Sequence, residues 1–386
     1  MASERVRILA VDVGTGTQDV LLFDSGESIE NCFQLIMPSP TVIVQRRILR
    51  ATAAGAPILL TGHIMGGGPC AWAARDHARA GYPCYIIPDA ARTLDDDLSQ
   101  VEAIGLRIIP DSEVPTLRAR ENGNLVEIEM GDFDAHALRA AFSAFDVDAS
   151  VDAVAVAAFD HGAAPPGVSD RRFRFDAIAA RVRERPDALA FAWPRSDIPA
   201  DLTRLAAVGE SARRYSGEQS GPAPVVMVMD TGAAALAGAL EDPVVRDRDE
   251  ALVANLGNFH TLAFHLRAGR IIGLFEHHTG ELDRPRLEGY LRDLARGDLD
   301  NERIFADSGH GALILKAPTS AGDCATPFLA VTGPRRELLR GSALRPYEPA
   351  PHGDMMLAGC FGLLRAVAAH EPAFAPAIEG ALGAPR

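Results

Sequence analysis

Apolar residues occur along this chain in short runs separated by glycine-rich or polar turns, which predicts strands and short helices. Residues 8–13 and 20–23 are two such runs on either side of Gly14-Thr15-Gly16-Thr17, the pattern of a β-hairpin with a tight turn. Runs 32–37 and 41–44, separated by Pro38 and Pro40, predict two more strands, and 45–54 a helix. Residues 58–87 read as a strand at 58–61, a loop at 62–68 with four glycines and His63, a helix from Pro69 to a stop at Gly81, and a strand at 84–87, a βαβ unit. Strands are expected again at 107–109, 126–130 and 153–159, with a hairpin turn at ENGN, 121–124, and a helix at 135–145. Residues 163–224 mix helical patterns with loops, and Arg171, Arg172 and Arg174 there read as a solvated basic cluster.

The second half repeats the alternation. Residues 225–245 run strand, turn, helix; 252–266 run strand, Gly turn, strand; 282–297 form an amphipathic helix with Leu287, Leu291 and Leu294 on one side. Residues 328–339 run strand, Gly333-Pro334 turn, helix, and 352–369 form a last helix. In that helix Ala358, Gly362 and Ala366 fall four apart on one face, as Ala234 and Gly238 do in the earlier one, a spacing that lets two helices approach closely. The fold class is α/β.

At 386 residues the chain exceeds the usual single core, so two domains are expected, 1–245 and a smaller 246–386. Thirty-eight basic against 52 acidic residues give a net charge of −14 without a basic stripe, which argues against a nucleic-acid partner. The five cysteines, Cys32, Cys70, Cys84, Cys324 and Cys360, lack CxxC or CxxxCxxC spacing and suit a reduced cytoplasm. The N-terminus carries no secretory signal pattern. Asp230 interrupts the longest apolar stretch, 224–240, so a buried strand and helix are expected there and no membrane span. Composition does not determine the oligomeric state.

Candidate chemistry begins at the first hairpin. A Gly-Thr turn points successive N–H groups at one anion, the Thr15 and Thr17 hydroxyls add donors, and Asp12 beside it suits a magnesium ion; the alternative is an ordinary hairpin. The glycine loop at 62–68 sits between a strand end and a helix start, where backbone donors favour an anion, or where glycines merely permit close packing. Asp160 and His161 follow a fully apolar strand, at the end where open α/β sheets put ligands. Five histidines, His260, His265, His277, His278 and His310, crowd 255–311 together with Glu276 and Asp307. They suggest either a metal site or a polar cleft wall that contacts phosphate or substrate. Adjacent histidines in a strand face opposite ways, so only one of His277 and His278 joins a given site.

ILAVDVGTGTQDVLLFD, residues 8–24, resembles the first phosphate segment of the actin, sugar kinase and heat-shock chaperone ATPases. MDTGAAALAGAL, residues 229–240, is similar to their first connecting segment, LVANLGNFHTLAFHL to their second phosphate segment, FLAVTGPRRELL to their adenosine loop, and HGDMMLAGCFGLLRAVAA to their second connecting helix. The resemblance implies a two-domain actin-like (ribonuclease H-like) fold with ATP and Mg2+ in an interdomain cleft. It puts Gly14, Thr15, Gly16 and Thr17 on one side of the phosphates and Gly257, Asn258, His260 and Thr261 on the other. By the same resemblance Gly333 contacts the nucleoside, Asp12 the metal, and Asp230 the magnesium or attacking water. Asn255 stands where the family usually has Asp, and a neutral amide supplies no charge to a metal, which favours binding over fast hydrolysis. TGHIMGGGPCAWA, FEHHTG and FADSGHG further resemble a family labelled pyruvate formate-lyase activating enzyme-like (DUF1786-like), a label implying radical chemistry that the missing CxxxCxxC contradicts.

The resulting expectation is a slow ATPase or phosphotransferase catalysed through Asp12, Asp230 and Asn255. A second pocket, formed by His63, Gly66, Gly67, Gly68, Asp160, His161, Glu276 and His277, would take a small anionic substrate or a partner protein. The alternatives are a nucleotide-gated interaction or activator protein with little turnover, and a metal-dependent hydrolase built on His277, His278, Asp307 and His310.

Overall fold

The computed structural model describes residues 5–215, 223–316 and 327–383; Cys324 lies outside them. The hairpin of β1 (Arg7–Val13) and β2 (Thr17–Asp24) continues into β3 (Phe33–Pro38) as an antiparallel meander. The chain then builds a separate parallel sheet from β4 (Ile58–Gly62), β5 (Cys84–Ile86), β6 (Arg107–Ile108) and β7 (Val126–Met130), ordered β6-β5-β4-β7. It returns with β8 (Ala153–Ala158), β9 (Ala192–Pro194) and β10 (Val225–Asp230) to complete a six-stranded sheet ordered β3-β2-β1-β8-β10-β9. Strands β11 (Glu250–Leu256), β12 (His260–Arg267), β13 (Arg270–His278), β14 (Gly311–Ile314) and β15 (Phe328–Thr332) form a five-stranded sheet ordered β14-β13-β12-β11-β15. In both large sheets an antiparallel three-strand meander is flanked on its first strand by a parallel neighbour, β8 beside β1 and β15 beside β11. The α/β expectation holds, and the two large sheets repeat one strand arrangement.

Composition explains the centre of the first sheet. Strand β8, AVAVAA, is buried along its whole length, and its small side chains let the helix Ala358–His370 lie across β1, β8 and β10. That helix crosses the helix Thr231–Ala239 with backbone against backbone. A Cβ at Gly238 would fall inside van der Waals contact of the Ala358 carbonyl, and one at Gly362 would do the same at the Ala234 carbonyl. The small-residue faces read from the sequence therefore do meet.

Some local expectations fail for identifiable reasons. Residues 41–44 belong to the helix Pro40–Ala53, with Pro40 in its first turn and Thr41, Val44, Ile48 and Ala51 buried on one face; β-branched residues there read as a strand because their helical stripe continues past 44. Asn122 is no hairpin turn. It ends the helix Val114–Glu121 in a left-handed conformation (φ 46°), which Asn tolerates, and the strands around it are parallel. The segment after Gly333 forms only a short 3-10 turn, Arg336–Leu339, in place of the expected helix. Among the described residues no helix is long and apolar enough to cross a membrane.

The crossing yields a paired test. Gly238→Ala or Gly362→Ala forces the two backbones apart and should cost about 1–3 kcal/mol or more in denaturant unfolding. Gly289→Ala, within the helix Arg284–Arg296 where a Cβ meets nothing within 4 Å, should instead stabilise by about 0.5–1 kcal/mol.

Candidate functional site

Between the two large sheets lies a cavity of about 470 Å³, lined by both glycine hairpins, the loop of 64–68, the start of the helix Thr231–Ala239, and Gly333. The hairpin turns share one construction: Gly14 N–H donates to the Thr17 carbonyl at 2.9 Å and Gly257 N–H to the His260 carbonyl at 2.9 Å. Their tips face each other, since a Cβ on Gly16 would sit 2.8 Å from Asn258 Nδ2. Thr15, Thr17, Asn255, Gly257 and Asn258 line the same space. Thr261 does not. It is buried and hydrogen-bonded to Thr279 at 3.0 Å, on the other face of β12 from His260.

Asp12, near the end of the largely buried β1, accepts a 2.6 Å hydrogen bond from the Thr231 hydroxyl. Its carboxyl is pushed up to about 7 by burial, eased by Thr231 and worsened by Asp230. Across the hairpin its pair is Asp19, pushed up to about 8 by burial and then by Asp12. Asp19 Oδ1 is buried without a hydrogen-bond partner. Two neighbouring carboxylates with an unsatisfied oxygen, beside a turn rich in N–H donors, fit a hard cation such as Mg2+.

Asp230 is held on both oxygens. Oδ1 accepts from Gly232 N–H at 2.9 Å, capping the helix, and Oδ2 accepts from Arg174 at 3.0 Å. Arg174 also clamps Glu276 at 2.7–3.1 Å, donates to the Asp160 carbonyl at 2.6 Å, and lies 3.7 Å from the Phe159 ring centroid. This residue overturns the expectation of a solvated basic cluster. Arg172 is surface-exposed against Glu302, but Arg174 is buried on the stripe it shares with Ile178 and Val182, four residues apart along the helix Asp170–Glu184. That spacing was the available signal.

The expected second pocket is not separate. Gly66, Gly67 and Gly68, together with Asp160, His161 and Glu276, border the same cavity as the hairpins. The glycines serve packing: Gly66 N–H donates to Asp132 at 3.1 Å, Gly67 C=O accepts from Thr41 at 2.6 Å, and Gly68 lies against the Phe259 ring. Asp160 caps backbone, accepting from Gly162 and Leu205 at 2.8 and 2.9 Å. His63 pairs with Asp89 at 2.8 Å and does not line the cavity, because the positive φ of Gly62 turns the chain after β4. Arg204, clamped to Asp132 at 2.6 and 3.0 Å, and Asp19 are cavity residues that spacing alone did not single out.

The histidines also regroup. His277 is fully buried with Nδ1 against the His278 carbonyl at 3.0 Å and Nε2 3.5 Å from Asp307, which also accepts from Tyr290 at 2.5 Å and pairs with Arg286 at 3.2 Å. It therefore faces away from the cavity, while Glu276 on the alternate face lines it. His265 is tied to Glu250 at 2.8 Å on the far side of β12. The set that converges is His161, His260 and His310, each offering a nitrogen within 4.8 Å of the others. The expected His277–His278–Asp307–His310 constellation is thus replaced by one with a single member in common.

A family model described as "Putative pyruvate format-lyase activating enzyme (DUF1786)" matches residues 65–338. The chain belongs to this family. Its description names an activity whose usual cysteine cluster this sequence lacks, and Cys32, Cys70, Cys84 and Cys360 are each free and buried. Comparison with curated proteins returns no match. Among solved structures, the chain is similar to a ROK family transcriptional regulator homologous to the E. coli MLC protein, at 10% identity over 69% of this chain and a TM-score of 0.26. The chain spans 37% of that regulator's length. It is also similar to the ethanolamine utilization protein EutJ from Carboxydothermus hydrogenoformans (11% identity, 94% and 90% of the two chains, TM-score 0.34). A third likeness is to a PilM-PilN type IV pilus biogenesis complex (14%, 94% and 99%, 0.40).

The buried carboxylates set a pH dependence. Because the folded pKa of Asp12 and Asp19 lies above the ordinary carboxylate range, the folded chain binds more protons than the unfolded one between roughly pH 4 and 8, and stability falls as pH rises through that window. In chelator the melting temperature should decline from pH 5 to 8. Asp19→Asn should flatten that slope, and magnesium should restore stability mainly above pH 7.

Proposed function

We propose that the cavity binds the phosphates of a nucleotide, ATP with Mg2+, between its two glycine hairpins, and that the protein is a slow hydrolase or phosphotransferase. The observation that carries this reading is the convergence on one cavity of about 470 Å³ of both hairpin turns, Asp12 and Gly333, a size that suits a small-molecule ligand. In this reading Gly14 to Thr17 and Gly257 to His260 hold the phosphate chain from two sides. The N-terminus of the helix Thr231–Ala239 adds a favourable dipole, and Gly333 with Met355 and Met356 borders the nucleoside. Asp12 and Asp19 are the ligands for magnesium, whose bound form supplies charge neutralisation to phosphoryl transfer. We assign the two lobes to 1–245 and 246–386, with a small anionic acceptor or a partner protein reaching the phosphates past Gly66 to Gly68.

Turnover is expected to be slow for reasons internal to the chain. Asp230 is fully engaged with Arg174 and the helix cap, and Asn255 brings no charge. Under this reading Asp230 acts by orienting the helix N-terminus. A second reading, metal-dependent hydrolysis, is favoured by the three converging histidines; the same cavity then holds the phosphate-bearing substrate.

Calorimetry with a non-hydrolysable ATP analogue tests the proposal. Binding should require Mg2+, and Asp12→Asn should remove most of the magnesium dependence while leaving the fold intact by circular dichroism. Absence of binding by folded wild-type protein would overturn it.

A further inference from the structure

We propose that His161, His260 and His310 form a transition-metal site, of the kind that takes Zn2+ or Co2+, which joins the two large sheets at the inner end of the cavity. This goes beyond the nucleotide reading and uses none of its ligands except His260. The three nitrogens lie within 4.8 Å of one another, against roughly 3.3 Å between ligand atoms around a tetrahedral zinc with bonds of about 2.0–2.1 Å. Drawing each ring in by less than about 1 Å closes the difference, a movement within reach of side-chain torsions.

Hydrogen bonding supplies the independent observation. His310 is 1% exposed, and neither of its ring nitrogens has a partner; His260 Nε2 is likewise buried and unpaired. Nitrogen atoms left unsatisfied in a protein interior are costly, and an ion shared by His260 and His310 would satisfy one nitrogen of each. A proton is a poor candidate for that partner. Burial, followed by neighbouring cationic groups, depresses all three imidazoles, His161 to about 3 and His310 to about 2, so they are neutral and have free lone pairs at physiological pH. His161 is open to the cavity yet surrounded by protein, which accounts for its combining solvent contact with a strongly depressed pKa.

The surroundings favour a dication over the neutral void. Arg174 brings one positive charge against the carboxylates of Asp230 and Glu276, and Glu276 Oε2 lies 4.0 Å from His310 Nδ1. Ring packing fixes the ligands. His260 stacks on Phe159 at 3.9 Å and 13°, and His161 meets the same ring edge-on at 4.7 Å. Three neutral imidazoles are a soft-to-borderline donor set, which separates this site from the oxygen ligands Asp12 and Asp19 nearby. His161 and His260 line the cavity, so a fourth coordination position would open onto it and could take a water or a phosphate oxygen.

His161 follows β8 in one sheet, whereas His260 opens β12 and His310 precedes β14 in the other. Metal occupancy would therefore tie the two halves of the cavity together.

The test uses full-length protein stripped with chelator and titrated with Co2+. Wild type should bind one Co2+ per chain, develop visible d–d absorption, and melt at a higher temperature with Co2+ or Zn2+. His161→Ala, at the accessible ligand, and His310→Gln, which preserves volume, should each weaken Co2+ by at least about 100-fold and lose the thermal shift. His136→Ala, at an exposed histidine, should behave as wild type. Folded wild type with neither absorption bands nor a thermal shift would overturn the proposal, as would unchanged Co2+ binding in His161→Ala or His310→Gln. Calorimetry of the ATP analogue with Mg2+ on the stripped protein reports separately on the nucleotide reading, so either can fail alone.

Discussion

The contact on which the rest of the molecule depends is the backbone crossing at Gly238 and Gly362. Helices normally pack 8–10 Å apart because side chains intervene; here each glycine meets a carbonyl of the other helix directly. The helix Ala358–His370 lies on β1, β8 and β10, and the helix Thr231–Ala239 touches both β10 and β11. Close approach at the crossing therefore sets how near the six-stranded sheet comes to the five-stranded one, and with it the width of the cavity. The same geometry seats Asp12 against the start of the helix Ala358–His370, where a side chain on Gly359 would collide with its carboxylate.

Charge is organised around that scaffold in two contrasting ways. Arg174, Asp230 and Glu276 are buried with their hydrogen bonds satisfied, so removing any one strands the others and costs far more than the net worth of the cluster. Asp12 and Asp19 are the reverse: two acids of like charge with little to offset burial, so they hold protons toward neutrality. A satisfied network rigidifies, and an unsatisfied one is a place for chemistry. Arg174 links the two, since it fixes Asp230, which in turn caps the helix whose first residue, Thr231, bonds Asp12.

Much of the fold was legible because it rests on local signals. The two hairpins, β7 at Val126–Met130, the amphipathic helix Arg284–Arg296, and the small-residue faces of the crossing helices all follow from periodicity and glycine placement. What escaped local reading depended on tertiary partners. Ser39 followed by Pro40 is a helix-start signal, which the β-branched run at 41–44 masked until the buried stripe showed it. The parallel sheet of β4 to β7 could be read as a βαβ unit but not as a body distinct from the main sheet. Of the candidate residues, those in turns, such as Gly16 and Asn258, were visible, whereas Arg174, Asp19 and the pairing of His161 with His310 were not. Those residues are 149 positions apart in sequence by their numbers, and no spacing rule spans such a distance.

The parallel sheet also explains why one cavity appears where two were expected. Its helix Pro69–Arg79 carries Trp72 to within 5.6 Å of Phe259, at the tip of the second glycine hairpin, and Gly68 accommodates the same ring. Thr41 ties the loop back to the helix after β3. The glycine loop is thus pressed into the mouth of the cavity by contacts from both large sheets, and its N–H groups are partly spent on Asp132. A ligand at the hairpin tips would meet this loop as a wall. His161, accessible, lines the same cavity, whereas His310 is buried outside its lining.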